Sequence, residues 1–118
     1  TNATVTLGPT STTLDLTTVA VPLYGTDAMR TVATRRVLWA GNAVRDEDVK
    51  YTGLNNDRDL ILSAIGGVVP TNSISGYRME DINLDGMVLY TGLNNDRDII
   101  LTNIGGIVPT SVRQEQLP

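Results

Sequence analysis

The 118-residue chain contains no cysteine, no histidine and no phenylalanine, and each absence removes a class of chemistry. Without Cys, no disulfide, thiolate nucleophile or sulfur-bound zinc or iron–sulfur centre can form. Without His, the commonest general base and the usual transition-metal ligand are missing as well. Oxygen is what remains for a metal, and it suits the hard cations calcium and magnesium. One Trp and four Tyr are the only aromatic residues, so a core must be assembled from Val, Leu, Ile and Ala. No apolar run approaches the roughly 20 residues that a membrane-spanning helix needs, the longest being broken by Gly or Pro. A net charge of -4 disfavours nucleic acid and anionic membrane surfaces and leaves cations as the favoured partners.

The length is that of one ordinary domain, enough to bury about two thirds of the surface exposed by the unfolded chain. The chain starts at Thr1 with neither Met nor a signal-type segment. It reads as a processed or excised part of something longer.

An internal repeat is the strongest signal present. Tyr51–Thr71 (YTGLNNDRDLILSAIGGVVPT) and Tyr90–Thr110 (YTGLNNDRDIILTNIGGIVPT) share 17 of 21 residues at an offset of 39. Each copy runs from a short extended piece ending at Tyr, through a Thr-Gly turn and a polar Asn-Asn-Asp-Arg-Asp stretch, into an apolar run closed by Gly-Gly. Asp59 and Asp98 are placed to cap a helix, and the paired glycines to end one. Leu60, Ile61, Leu62 and Ile65, with Ile99, Ile100, Leu101 and Ile104, would then form an apolar stripe on helices of about two to three turns. Periodicity alone also admits strands here, and the cap and stop signals favour helix. Val-Pro-Thr after each Gly-Gly is extended and turn-like. Residues 72–78 read as a linker.

The first forty residues differ. Ala3–Leu7 and Thr13–Thr17 alternate and are rich in Thr and Val, which predicts strands with one buried face. Arg30–Trp39 reads as a further strand or a short helix. The expected fold class is α+β, with a β-rich N-terminal half (residues 1–40) packed on two loop-and-helix repeats. The first repeat covers residues 41–71, and residues 72–118 hold the linker, the second repeat and a tail, the whole forming one compact domain.

Ahead of the second copy lies Asp81-Ile-Asn83-Leu-Asp85-Gly86-Met87-Val88, which has the opening of a calcium loop of the EF-hand kind. Positions 1, 3 and 5 turn three oxygen-bearing side chains toward one point, Gly at 6 permits the sharp turn, and position 7, Met87, offers its carbonyl. Val88 would point into the core. The usual closing carboxylate at position 12 is replaced by Gly92, so an insertion between Tyr90 and Asn95 is expected, with Asp96 or Asp98 closing the site. At the same offset the first copy presents Asn42, Val44, Asp46, Glu47 and Asp48, followed by Asp57 and Asp59. Position 3 has lost its oxygen and position 6 its glycine, which predicts a weaker, distorted or empty site. Arg58 and Arg97 are expected to pair with neighbouring carboxylates at the surface.

The order of an Asp-x-Asn-x-Asp-Gly loop followed by a capped helix, in tandem, resembles the duplicated type I dockerin motif, apart from the insertion. A closer resemblance covers nearly the whole chain. Leu38–Gly41, Lys50–Gly53, Asn56–Asp59, Gly76–Gly86, Asn95–Asp98 and Arg113–Pro118 are similar to the C-terminal region of large secreted, hemagglutinin-like or adhesin-like surface proteins of Bacteroidetes. That resemblance implies secretion to the cell surface or medium and a non-enzymatic role.

The leading expectation is therefore a calcium-stabilised, non-catalytic module of a secreted adhesin-like protein. The alternative is a self-assembling, calcium-stabilised subunit of an extracellular fibre or surface layer; besides calcium, the expected partners are the chain itself or other surface proteins or glycans. An enzyme is disfavoured, since the Asp residues sit in turn and cap sequences and few aromatics are available to stack on a sugar.

Overall fold

The structure is a computed structural model that describes residues 4–114. It divides into two units, the first ending at Trp39 and the second starting at Ala40. The class is α+β, with six short strands and two helices among the described residues.

In the first unit, β1 (Arg30–Val32) and β2 (Arg35–Val37) pair antiparallel, Arg30 opposite Val37 and Val32 opposite Arg35. The segment expected to be a strand or a helix is thus a hairpin, turned at Ala33 with φ 53°. The strands expected at Ala3–Leu7 and Thr13–Thr17 do not form: residues 4–7 and 13–17 are irregular, and Ala3 lies outside the described residues. Thr and Val supply strand propensity there, but propensity without a hydrogen-bonded neighbour does not make a ladder. Asp15 instead turns the chain, accepting the backbone amide of Thr17 at 2.9 Å and its hydroxyl at 2.6 Å. The hairpin holds the coil: the Arg36 amide donates to the Thr17 carbonyl at 2.8 Å and the Arg36 guanidinium to that of Val21 at 2.7 Å.

In the second unit each repeat contributes a strand and then a helix. These are β3 (Asp48–Lys50) with α1 (Asp57–Ala64), and β5 (Met87–Leu89) with α2 (Asp96–Asn103). Each helix begins one turn earlier than the sequence suggests. The cap is Asn56 or Asn95, whose side-chain oxygen accepts the amide of Asp59 or Asp98, so those two aspartates are not the caps. The stop is as expected. Gly67 donates to the Leu62 carbonyl and Gly66 to that of Ser63, each at the same position as Gly106 to Leu101 and Gly105 to Thr102. This is a Schellman closure, and φ of 111° at Gly66 and 123° at Gly105 is why glycine is needed there.

The linker is not a linker. Ser73–Ser75 forms β4, and Val112–Gln114 forms its counterpart β6, 39 residues on. Each trailing strand pairs with the loop strand of the other repeat: β4 with β5, and β6 with β3, both antiparallel. The exchange is repeated in side chains, since the Thr52 hydroxyl donates to the Pro109 carbonyl and the Thr91 hydroxyl to the Pro70 carbonyl, both at 3.0 Å. Three-residue ladders are too short to hold by themselves. They are held by one shared core of Val49, Ile61, Ile65, Val88, Ile100 and Ile104, flanked by Tyr51, Ile74 and Tyr90. Val88 is fully buried, as its place in the loop predicts. Burying side chains of this kind contributes about 1.5–3 kcal/mol apiece.

Candidate cation-binding loops

The second loop is wound by its own side chains. Asp81, 6% exposed, accepts the Asp85 amide at 3.1 Å on Oδ1 and the Gly86 amide at 2.9 Å on Oδ2. Asn83 Oδ1 accepts the Asp85 amide at 2.9 Å, and Asp85 Oδ1 accepts that of Met87 at the same distance. The Asn83 amide group donates to Asp85 Oδ2 and to the Asn94 carbonyl, which ties the loop to the turn ahead of α2. Asp and Asn at every second position thus coil the backbone, and an sp² oxygen holding one amide keeps a second lone pair.

Beneath the loop lies Asp96, the first residue of α2, with no exposed surface. Its Oδ1 accepts the amides of Ile82 (2.7 Å) and Asn83 (3.2 Å), and its Oδ2 that of Leu89 (2.8 Å). One carboxylate therefore fastens both ends of the loop to the helix. Burial pushes its carboxyl above the usual range, the three amides pull it back, and the charge of Asp81 adds to the rise. Asp98 lines a cleft together with Asn83 and Asp85, its oxygens held by Asn95 and Arg97. The Asn95 hydrogen bond, ahead of the Arg97 charge, holds its carboxyl below the usual range.

The first loop shares the fastening. Asp57, also without exposed surface, accepts the amides of Val44 at 2.9 Å and Lys50 at 2.7 Å. Burial raises its carboxyl too, with the charge of Asp46 adding a smaller push. The rest of the loop differs. Asn42 accepts the Arg45 amide at 2.8 Å and its own amide group donates to the Asp46 carbonyl at 2.5 Å, a bond that Asp81 has no hydrogen to make. Asp46 accepts the Asp48 amide at 3.0 Å, repeating the Asp85 turn. Asp48 pairs at 2.7 Å with Lys50, while Asp59 is engaged by Asn56 and Arg58. As expected, Arg58 and Arg97 pair with Asp59 and Asp98; each guanidinium also lies over a tyrosine ring, of Tyr51 and Tyr90 respectively.

The structure thus ties Asp81, Asn83, Asp85 and Asp96 together by hydrogen bonds around one loop and sets Asp98 on the cleft beside it, engaged by Asn95 and Arg97. Among the described residues, no three carboxylates converge on a single point. The oxygen donors that the loop offers a hard cation are Asp81, Asn83, Asp85, the Met87 carbonyl and Asp96, whose carboxylates are held apart by the backbone amides that they accept. No ion pair reaches Asp81 or Asp96 among the described residues, so their charges are uncompensated by a side chain. A cleft of about 580 Å³, lined by residues that include Tyr77, Arg78, Met79 and Asp85, opens beside the loop. Sequence reasoning missed Asn95 as the cap and Asn103, which donates from the buried face of α2 to the Ala40 carbonyl at 2.5 Å. The Asn-Asn doublet ahead of each helix was the available signal for the cap; nothing marked Asn103.

No protein-family model, curated protein or solved structure matches the chain.

Proposed function

We propose that the chain is a calcium-stabilised, non-catalytic module of a secreted, adhesin-like surface protein, with the ion in the second loop. The observation that carries this reading is the pair Asp81 and Asp96. Two buried carboxylates sit close enough for the charge of Asp81 to raise the Asp96 carboxyl, and among the described residues no basic side chain forms an ion pair with either. A divalent cation between loop and helix would remove that repulsion and use lone pairs that the amides leave free. The acidic balance, the oxygen-only donor inventory and the resemblance to Bacteroidetes surface proteins point the same way.

An ion that binds only the folded state stabilises it by about 2.7 kcal/mol at a hundredfold excess over its dissociation constant. Extracellular modules typically bind in the 10⁻⁴ to 10⁻³ M range, so roughly millimolar calcium suffices. The test is a pair of melting curves, one in chelator and one in calcium, on the wild type and on Asp85→Ala. Wild type is expected to melt higher in calcium and Asp85→Ala to respond little. Coincident wild-type curves would overturn the reading.

A further inference from the structure

The two repeats are joined by an exchange that does not depend on their belonging to one chain. Every strand of the second unit pairs across the repeat boundary, β3 with β6 and β4 with β5, and the Thr52 and Thr91 hydroxyls cross it symmetrically. Because the repeats are near-identical, the face that receives the second repeat and the face that it presents are two versions of one self-complementary surface. The strand-exchanged partner of each repeat is thus already specified in the sequence.

We propose that this surface also joins separate copies of the chain, β6 and α2 of one molecule packing on β3 and α1 of another, while the β4–β5 pair stays within each molecule. The occupant is a second copy because only it carries β6 and α2 in the register that β3 and α1 accept. The joint is the segment between α1 and β4, residues 66–72, where Gly66, Gly67, Val68, Val69 and Pro70 are all exposed. Opening it breaks no core contact that the exchanged partner does not restore. Reciprocal exchange gives a closed dimer, and exchange without closure gives a chain of molecules. A short tether keeps the neighbouring repeat at an effective concentration of about millimolar, so the intramolecular arrangement prevails in dilute solution. Refolding near that concentration favours exchange.

The chain has no cysteine, which makes a clean reporter available. Lys50 and Val112 stand directly opposite each other in the β3–β6 pair, so Lys50→Cys with Val112→Cys places one thiol on each side of the exchange. The full-length double variant is refolded at about 1 μM and at about 1 mM, oxidised, and run on a non-reducing gel. Covalent dimers or ladders at the high concentration, with monomer at the low one, are the expected result; each single-cysteine variant should stay monomeric in the same lanes. Monomer alone at both concentrations overturns the proposal. Deleting residues 68–70 shortens the joint, and light scattering should then find dimer as the smallest folded species. A folded monomer of that variant overturns the proposal as well; if the deletion abolishes folding, the cysteine result decides.

Discussion

Asp81 and Asn42 occupy the same place in the two loops, and the difference of one side-chain group separates the loops' behaviour. Asp81 brings two acceptor oxygens and a charge, and it takes the amides of Asp85 and Gly86. Asn42 brings its own donor and closes the loop on the Asp46 carbonyl. Both loops are held by hydrogen bonds, but the first adds an Asp48–Lys50 ion pair, where the second, with Met87 and Leu89 at those positions, has no ion pair among the described residues and carries like charge between Asp81 and Asp96. What the loops keep in common is the buried aspartate that fastens loop to helix. Fastening is therefore separable from the cation binding proposed for the second loop, although in sequence the two look like a single motif.

Replacing the fastening carboxylates has the largest expected effect. In Asp57→Asn and Asp96→Asn one oxygen becomes an amide that faces a backbone N–H, leaving a buried donor without an acceptor, at a cost of about 2 kcal/mol each. Urea unfolding in chelator should give nearly equal losses. In calcium the Asp96→Asn loss should exceed that of Asp57→Asn, and equality in both conditions would mean that Asp96 only fastens.

Position 6 gives a smaller contrast. Gly86 has φ 89° with no heavy atom near a would-be Cβ, so Gly86→Ala should cost about 1 kcal/mol from backbone strain alone. Glu47, its exposed counterpart, does not have a positive φ, and Glu47→Ala should stay within about 0.5 kcal/mol. A comparable loss at both sites would show that the first loop needs the same turn as the second.

The pH response is the smallest effect and separates the loops by cation. Asp57 and Asp96 have carboxyls raised above the unfolded value, so their contribution is complete below about pH 3.9 and is lost as pH rises through the raised values. Asp98 runs the opposite way, contributing above about pH 3.9 and losing its contribution as pH falls. In chelator, the urea midpoint should therefore decline as pH rises above about 3.9. Calcium should flatten the Asp96 share of that decline and leave the Asp57 share. A midpoint that climbs over this range would contradict the assigned direction.

The sequence announced both helices because their signals are local: Ile61 and Ile65 are one turn apart, and Gly-Gly ends the turn that follows. It placed the start three residues late, at Asp59 and Asp98 and not at the caps Asn56 and Asn95. Several adjacent residues can cap, and the choice falls to Asn56 because Asp57 is drawn inward to the loop amides. Val88 was legible as a core position by its place in the loop. The N-terminal alternation was legible as propensity and failed as structure, since β2 meets residues 13–17 through the Arg36–Thr17 backbone hydrogen bond without building a ladder there.

By itself, then, the sequence determined the duplication, the two helices, their glycine stops and the winding of the second loop, all of which rest on contacts within about one turn of chain. The tertiary structure alone decided which strand pairs with which. Ser73–Ser75 and Val112–Gln114 are three residues long, too short for a hydrophobic pattern to name a partner. Lys50 and Val112 meet only because α1 and α2 bury their isoleucines in one core.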